Sequence, residues 1–332
     1  MEPEKRVEKI ADNLNLYKIS VPLKGNALRN LNCYVVKTKE GSFLVDTGFN
    51  TKDCKEALLE GLEELGISPE HTNLLVTHFH SDHIGLAECF DHPDSAIYIG
   101  RNEFEYYNNF VRHGNYWSLQ DDVFEKDGFP IHELLETRKE NPAYIHTPRE
   151  DFPVVTLEDQ EEFNLCGLTL KAIEVPGHTP GQMCYYLTKE KIMFLGDHIL
   201  FDITPNIVSW PRVDNSLKKY MESLKKIQKF EIDLALPGHR NLRDKTVDMR
   251  IREILSHHEK RLKEIMGVIE AHPGLNSYEI AGKLTWSLHG ATWENAPLQQ
   301  KWFAFGETKA HLEYLIAEHK IFKQRNVYFR FV

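Results

Sequence analysis

The chain has 332 residues, with 40 Lys/Arg against 50 Asp/Glu, a formal net charge of −10, 41% hydrophobic residues and 27% charged residues. These values sit near the averages of soluble globular proteins, and 19 Gly with 15 Pro are too few for a collagen-like or low-complexity chain, so fibre, coiled coil and disorder are excluded as descriptions of the whole. At this length a fold buries roughly three-quarters of its unfolded surface, and at about 150 residues per domain it holds one large domain or two unequal ones. The opening segment MEPEKRVEKIADN carries both signs of charge and no apolar run, unlike a leader sequence. No window of about 20 residues is free of charge, so no bilayer-spanning helix is expected. The five cysteines, Cys33, Cys54, Cys89, Cys166 and Cys184, are odd in number and lack a CxxC pair. They read as reduced thiols of a cytoplasmic protein.

In chain order, Leu16–Leu23, Asn32–Thr38 and Ser42–Asp46 are rich in β-branched and aromatic residues and are broken by Gly or Asn turns, which predicts three strands. Leu58, Leu59, Leu62 and Leu65 recur at helical spacing and predict a helix over 51–65. A short strand, Asn73–Val76, runs into THFHSDHIG; a second helix follows, ended by His92 and Pro93, and then a strand at Ala96–Ile99. Between about 101 and 151 aromatic residues are scattered among charges without a strand signal, which predicts an irregular helical insertion. Strands resume at Pro153–Leu157, in a pair over 161–175 turning at Cys166-Gly167, and in a hairpin of Met183–Leu187 with Ile192–Leu195. A helix Ser216–Phe230 capped by Asn215 and a strand Asp233–Leu236 close this part. Strands followed by strand–helix pairs, repeated in both halves, imply a sheet-on-sheet sandwich with helices outside it.

Beyond His239 the pattern changes to a long charged helix over 244–271, a break at His272-Pro273-Gly274, a helix opened by an Asn276/Glu279 capping box, a helix over 300–320 and a last strand from Ile321 to Val332. Helix, helix and a basic hairpin-like end suggest a winged-helix module. Residues 241–332 hold 14 Lys/Arg and 11 Asp/Glu, net +3, which leaves 26 against 39, net −13, for residues 1–240. Charge and pattern change at the same place, so two domains are expected, 1–240 and 241–332.

Four candidate ligands crowd into six residues: His78, His80, Asp82 and His83. Imidazole with carboxylate is a ligand set that suits zinc, iron or manganese. Three further elements share this character: Pro176-Gly177-His178-Thr179-Pro180-Gly181, Gly196-Asp197-His198 and Pro237-Gly238-His239, each at the end of a predicted strand and flanked by glycine. Four strand ends converging on one rim make a site. Asp46, in Leu44-Val45-Asp46-Thr47-Gly48, is either a support beneath that site or a turn aspartate. His198 either reaches the substrate or points into the core.

With HxHxDH, the GH loop, the aspartate and the final PGH in this order over 16–239, the sequence resembles the metallo-β-lactamase superfamily. The resemblance implies a four-layer αββα sandwich of the α/β class, here with a small winged-helix-like α+β tail. It implies one divalent metal at His78, His80 and His178 and a second at Asp82, His83 and His239, bridged by Asp197, with zinc the first expectation and iron or manganese as alternatives. A bridging hydroxide is then the nucleophile and Asp82 the catalytic proton acceptor. The motif continues Gly85-Leu86 where glyoxalase II shows a glycine pair; the secreted β-lactamases differ in their second-metal ligands, and the tRNA-processing and β-CASP nucleases carry motifs missing here. The nearest pattern is that of β-lactamase-like hydrolases with a winged-helix tail, matched by HHEKRL at 257–262, SYEIA at 277–281 and FAFGETKAHLEYL at 303–315.

Two functions follow. The first is hydrolysis of a small-molecule thioester, lactone or related ester, with the insertion and the loop Phe201–Arg212, containing Trp210, forming an apolar substrate wall or simply filling core. The second is a metal-dependent endoribonuclease or phosphodiesterase in which the tail grips nucleic acid. The candidate recognition helix sets Glu307, Glu313 and Glu318 against Lys309 and Lys320, which disfavours the second. Lys323, Arg325 and Arg330 near the end fit a solvated edge or a homodimer contact better than phosphates.

Overall fold

The computed structural model describes residues 6–11, 13–240, 245–288 and 290–331. Seven strands form one sheet in sequence order: β1 (Val7–Ala11), β2 (Leu16–Pro22), β3 (Asn30–Lys37), β4 (Ser42–Val45), β5 (Thr72–Leu75), β6 (Ile97–Gly100) and β7 (Val155–Leu157). The second sheet has five, ordered β12 (Leu234–Pro237), β11 (Ile192–Gly196), β10 (Met183–Leu187), β9 (Leu168–Glu174) and β8 (Glu162–Leu165). Strands β4 to β7 pair in parallel, as do β11 and β12, so their carboxyl ends open on one rim.

Alternation along each strand builds the layers, because successive side chains leave opposite faces. In β3, Tyr34 and Val36 enter the core between the sheets, where they meet Phe43, Leu75, Tyr185 and Phe194, whereas Leu31, Cys33 and Val35 face outward. The outward face is covered by α1 (Lys52–Glu64) through Cys54, Leu58 and Leu62. The second sheet turns Ile173, Cys184, Met193 and Leu195 away from its partner, onto Leu217, Tyr220, Leu224 and Ile227 of α7 (Ser216–Ile227). Helix, sheet, sheet, helix is the expected four-layer order.

Several boundaries differ from the sequence reading. The helix after β5 is split into α2 (Ser81–Ile84) and a 3₁₀ turn, Ala87–Phe90. Strand β1 is additional to the expected strands, because its polar, charged residues form an edge with one buried neighbour only. The insertion carries five helical segments joined by short turns: α3 (Arg101–Tyr106), a π-helical turn Tyr107–Arg112, α4 (Tyr116–Lys126), α5 (Ile131–Glu140) and α6 (Pro142–Ile145).

Helix α8 (Val247–Ala271) follows, and the expected start of this helix at 244 lies outside the described residues. The Asn276/Glu279 capping box opens α9 (Ser277–Lys283), and α10 spans Leu298–Ala317. The expected final strand is a hairpin of β13 (Ile321–Gln324) and β14 (Val327–Arg330), because Arg325 and Asn326 both take positive φ and reverse the chain. These elements do not stand apart from the rest. Ile251 and Ile254 of α8 pack under α7, and Trp302 and Phe305 of α10 share a cluster with Phe124, Phe129 and Leu134 of the insertion.

Candidate metal centre

Each strand that ends on the common rim delivers one loop. β5 leads into His78 to His83, β9 into His178, β11 into Asp197 and β12 into His239. All seven predicted residues come together, and every one is at most slightly exposed except His80, which is partly open. His80 Nδ1 lies 3.1 Å from His78 Nε2 and 3.1 Å from His178 Nε2. On the other side His83 Nε2 and His239 Nε2 are 3.3 Å apart, and Asp82 Oδ2 is 3.3 Å from His239 Nε2. Asp197 spans both groups: Oδ1 is 3.4 Å from His83 Nε2 and from His239 Nε2, and Oδ2 is 3.8 Å from His178 Nε2. Gly238 is required here, since a Cβ would sit 2.6 Å from Asp197 Oδ1.

The residues beneath the cluster set which nitrogen of each ring faces inward. His178 Nδ1–H donates to the Asn206 carbonyl at 2.9 Å, His239 Nδ1–H to the Asn30 carbonyl at 2.8 Å, and His83 Nδ1–H to Asp46 Oδ2 at 2.7 Å. His78 Nδ1 lies 3.0 Å from Thr77 Oγ1, whose hydroxyl donates to Asp46 Oδ2 at 2.8 Å. Asp46 itself is held by the Thr77 amide at 2.8 Å and sits at φ 60, a backbone state that a non-glycine residue keeps only when its surroundings enforce it. It is therefore the support beneath the site rather than a simple turn residue. The Asn30 and Asn206 carbonyls escaped the sequence reading because backbone acceptors carry no side-chain signature, and Thr77 escaped it because a lone threonine at a strand end is unremarkable. His198 is fully buried against the Tyr220 ring at 5.4 Å and is not part of the cluster.

With their outer nitrogens donating, His78, His178, His83 and His239 turn lone pairs toward one another at distances where only an intervening cation or proton relieves the repulsion. Asp197 Oδ1 is buried with no hydrogen-bond partner among the described residues. Three overlapping groups, His78/His80/His178, His78/His83/Asp197 and Asp82/His83/His239, present ligand atoms within 4.8 Å of one another. The donor set fits divalent metals. Burial, with the neighbouring imidazoles, lowers His78 and takes His80 to about 3, so the three-histidine half is neutral and ready to ligate. Burial also opposes charge on the other half. There the carboxylates win: Asp197 and Asp82 lift His239 to about 9, and the rings His83 and His239 hold Asp82 at about 2.

Aromatic residues wall the three-histidine side. Trp210 lies 5.9 Å from the His80 ring and 5.5 Å from Phe79, and its indole N–H donates to the His178 carbonyl at 3.0 Å. Tyr106 and Tyr116 of the insertion pack on it at 6.1 and 5.9 Å. The start of the insertion thus lies beside the three-histidine side, while Phe124, Phe129 and Leu134 further on fill core against the tail.

Comparison with known proteins agrees with this geometry. The chain is 26% identical over 82% of its length to a nematode protein, the beta-lactamase-like protein 2 homolog of Caenorhabditis elegans, and spans 78% of it. It is 24% identical over 64% of its length to the atrochrysone carboxyl ACP thioesterase of Emericella nidulans, and spans about half of that relative. Among solved structures, a metallo-beta-lactamase family protein of Thermus thermophilus matches 95% of this chain and 98% of its own with TM-score 0.79 and 27% identity. The family model of the metallo-beta-lactamase superfamily matches residues 27–239, so with the ordered histidine and aspartate loops on one rim the chain belongs to that superfamily and is a hydrolase of it.

Proposed function

We propose that the chain is a binuclear metal-dependent hydrolase of a small-molecule thioester or related carboxylic ester. The observation that carries this reading is the seven-residue cluster beside an apolar aromatic wall, and the fungal thioesterase relative supports it. In this proposal His78, His80 and His178 hold one ion, Asp82, His83 and His239 the other, and Asp197 lies between them, with zinc the first expectation. Bound cations supply Lewis-acid polarisation of the substrate carbonyl and acidify water. Asp82, ionised at neutral pH and placed at the rim of the cluster, accepts a proton at a carboxylate oxygen during attack. Phe79 and Trp210 orient the acyl group and exclude water from its flank. Residues 241–332 act as a winged-helix-like capping unit, and their three helices and terminal hairpin support that division.

The nucleic-acid reading is less well supported, because several of the cations it would use are engaged within the chain. Lys309 and Lys323 pair with Asp127, and Arg330 pairs with Glu270. No helix among the described residues is long and apolar enough to cross a membrane. A turnover panel on one metal-analysed preparation, with acyl-thioesters, lactones, bis-p-nitrophenyl phosphate and RNA, tests the proposal. Faster turnover of the thioesters is expected; RNA or the phosphodiester as the best substrate overturns it.

Proton release gives a second measurement. Without cations His239 keeps its proton up to about pH 9, and a cation entering beside it must displace that proton. Apparent affinity at this half therefore rises with pH up to about 9 and falls as pH drops. Calorimetry of Zn²⁺ binding in buffers of different ionisation enthalpy should show at least one proton released at pH 7.5. A heat independent of buffer would remove His239 from the ligand set.

A further inference from the structure

A second buried carboxylate approaches the centre without belonging to it. Glu103, in the first helix of the insertion, is completely buried. One of its oxygens accepts the Phe79 N–H at 2.8 Å and the other accepts the Gly181 N–H at 2.8 Å. Phe79 stands between His78 and His80, and Gly181 closes the loop that carries His178. One carboxylate thus ties together both backbone segments that present the three-histidine group. The approach is tight: a Cβ on Gly181 would lie 2.4 Å from the Glu103 backbone nitrogen, so only glycine lets α3 lie against this loop. The same helical segment stacks Tyr106 and Tyr107 on the Phe79 ring at 5.9 Å each, and the Tyr106 hydroxyl donates to the Pro211 carbonyl at 2.9 Å, beside Trp210.

Burying a carboxylate away from cations is costly unless something offsets the charge. The neighbouring charge that bears on Glu103 is another carboxylate, Glu174, and burial pushes the Glu103 carboxyl up to about 7 against its donors, the Phe79 and Gly181 amides and the Thr179 hydroxyl. These neutral donors satisfy the oxygens but leave the negative charge without a counter-ion among the described residues. A cation held by His78, His80 and His178 is the complement that the fold offers.

We infer that Glu103 is the positioning residue of the three-histidine half: its carboxylate sets the separation of the 78–80 and 176–181 segments, and its charge favours a divalent cation between them. The inference rests on the reading of the cluster as a metal centre. It also makes the insertion part of the metal site, since the helix that builds the aromatic wall holds the ligand loops in register.

The test compares wild type with Glu103→Gln, which keeps the shape, loses the charge and turns an amide N–H₂ toward one of the backbone donors. Co²⁺ titration followed by visible absorption reads the metal site, and thermal melting of the metal-free protein reads the fold. The variant is expected to bind Co²⁺ about 10- to 100-fold more weakly at the three-histidine half and to shift its visible band. Its metal-free melting temperature should stay close to that of wild type, because the cheaper burial of a neutral amide offsets the backbone N–H that is left facing the new N–H₂. Wild-type affinity with an unchanged band overturns the inference, and so does a lower metal-free melting temperature with unchanged affinity, which would make Glu103 a plain structural staple. Should the glutamine variant fail to fold, Glu103→Asp keeps the charge and shortens the reach: an altered band is expected and an unaltered one overturns the inference. Wild-type protein that takes up no Co²⁺ would instead sink the metal-centre reading itself.

Discussion

Replacing Asp82 by Asn is expected to lower kcat/KM for the best substrate of the panel by at least about 10³-fold while the metal-free protein still folds. Asp82 sits in α2 with Oδ2 3.3 Å from His239 Nε2 and 3.9 Å from His83 Nε2, and it is ionised at neutral pH. Asparagine has the same shape but no charge, so it neither accepts the proton nor balances a cation. Charge stabilisation at such a site is worth several kcal/mol, and about 1.36 kcal/mol is a factor of ten in rate. The fold should survive, because the side chain makes no contribution to the apolar clusters that hold the sheets together. His80→Ala, which removes the nitrogen shared by both short contacts of the three-histidine group, should abolish hydrolysis in the same way. Steady-state kinetics with metal analysis checks both, and a fully active variant of normal metal content removes that residue from the centre.

Asp127→Ala is expected to destabilise the whole chain by about 3–5 kcal/mol, the usual effect of leaving buried charges without their partner. Asp127 lies at the end of α4 with only 4% of its side chain exposed, and it receives both Lys309 of α10 and Lys323 of β13. Phe124, Phe129, Trp302 and Phe305 form the apolar body of the same junction, and Lys301 pairs with Glu133 beside it. Insertion and tail therefore brace each other, and through α3 the insertion braces the metal loops. Denaturant unfolding measures the loss. A change below about 1 kcal/mol would place the junction among exposed ion pairs of little consequence.

Much of the architecture was legible because its signals are local. Apolar, β-branched and aromatic runs at 32–38 and 183–195, helical spacing at 51–65 and 216–227, and the capping box at Asn276 each depend on a few neighbouring residues. The seven clustered residues were legible for another reason: their types, glycine neighbours and order along the chain are a pattern that few other chemistries need. What stayed illegible was decided at long range or by backbone. The turn at Arg325-Asn326 carries no glycine, strand β1 is defined only by its pairing with β2, and at the split of the helix after β5 the Thr47 hydroxyl donates to the His83 carbonyl and accepts the Leu86 N–H.

The sequence by itself named the seven residues that gather at the centre, through side chains that announce their chemistry, and a sheet-on-sheet order, through its strand and helix pattern; the superfamily and its four layers came from the resemblance that the ordered motifs carry. Only the tertiary structure decided that Asp46 orients His83, that His198 is a core residue, and that the aromatic insertion divides between a wall near His80 and a joint with the tail. Glu103 belongs to this second class. A lone glutamate in a charged stretch is unremarkable in sequence, and it gains a role because folding removes it from water and leaves two amides of the ligand loops as its partners.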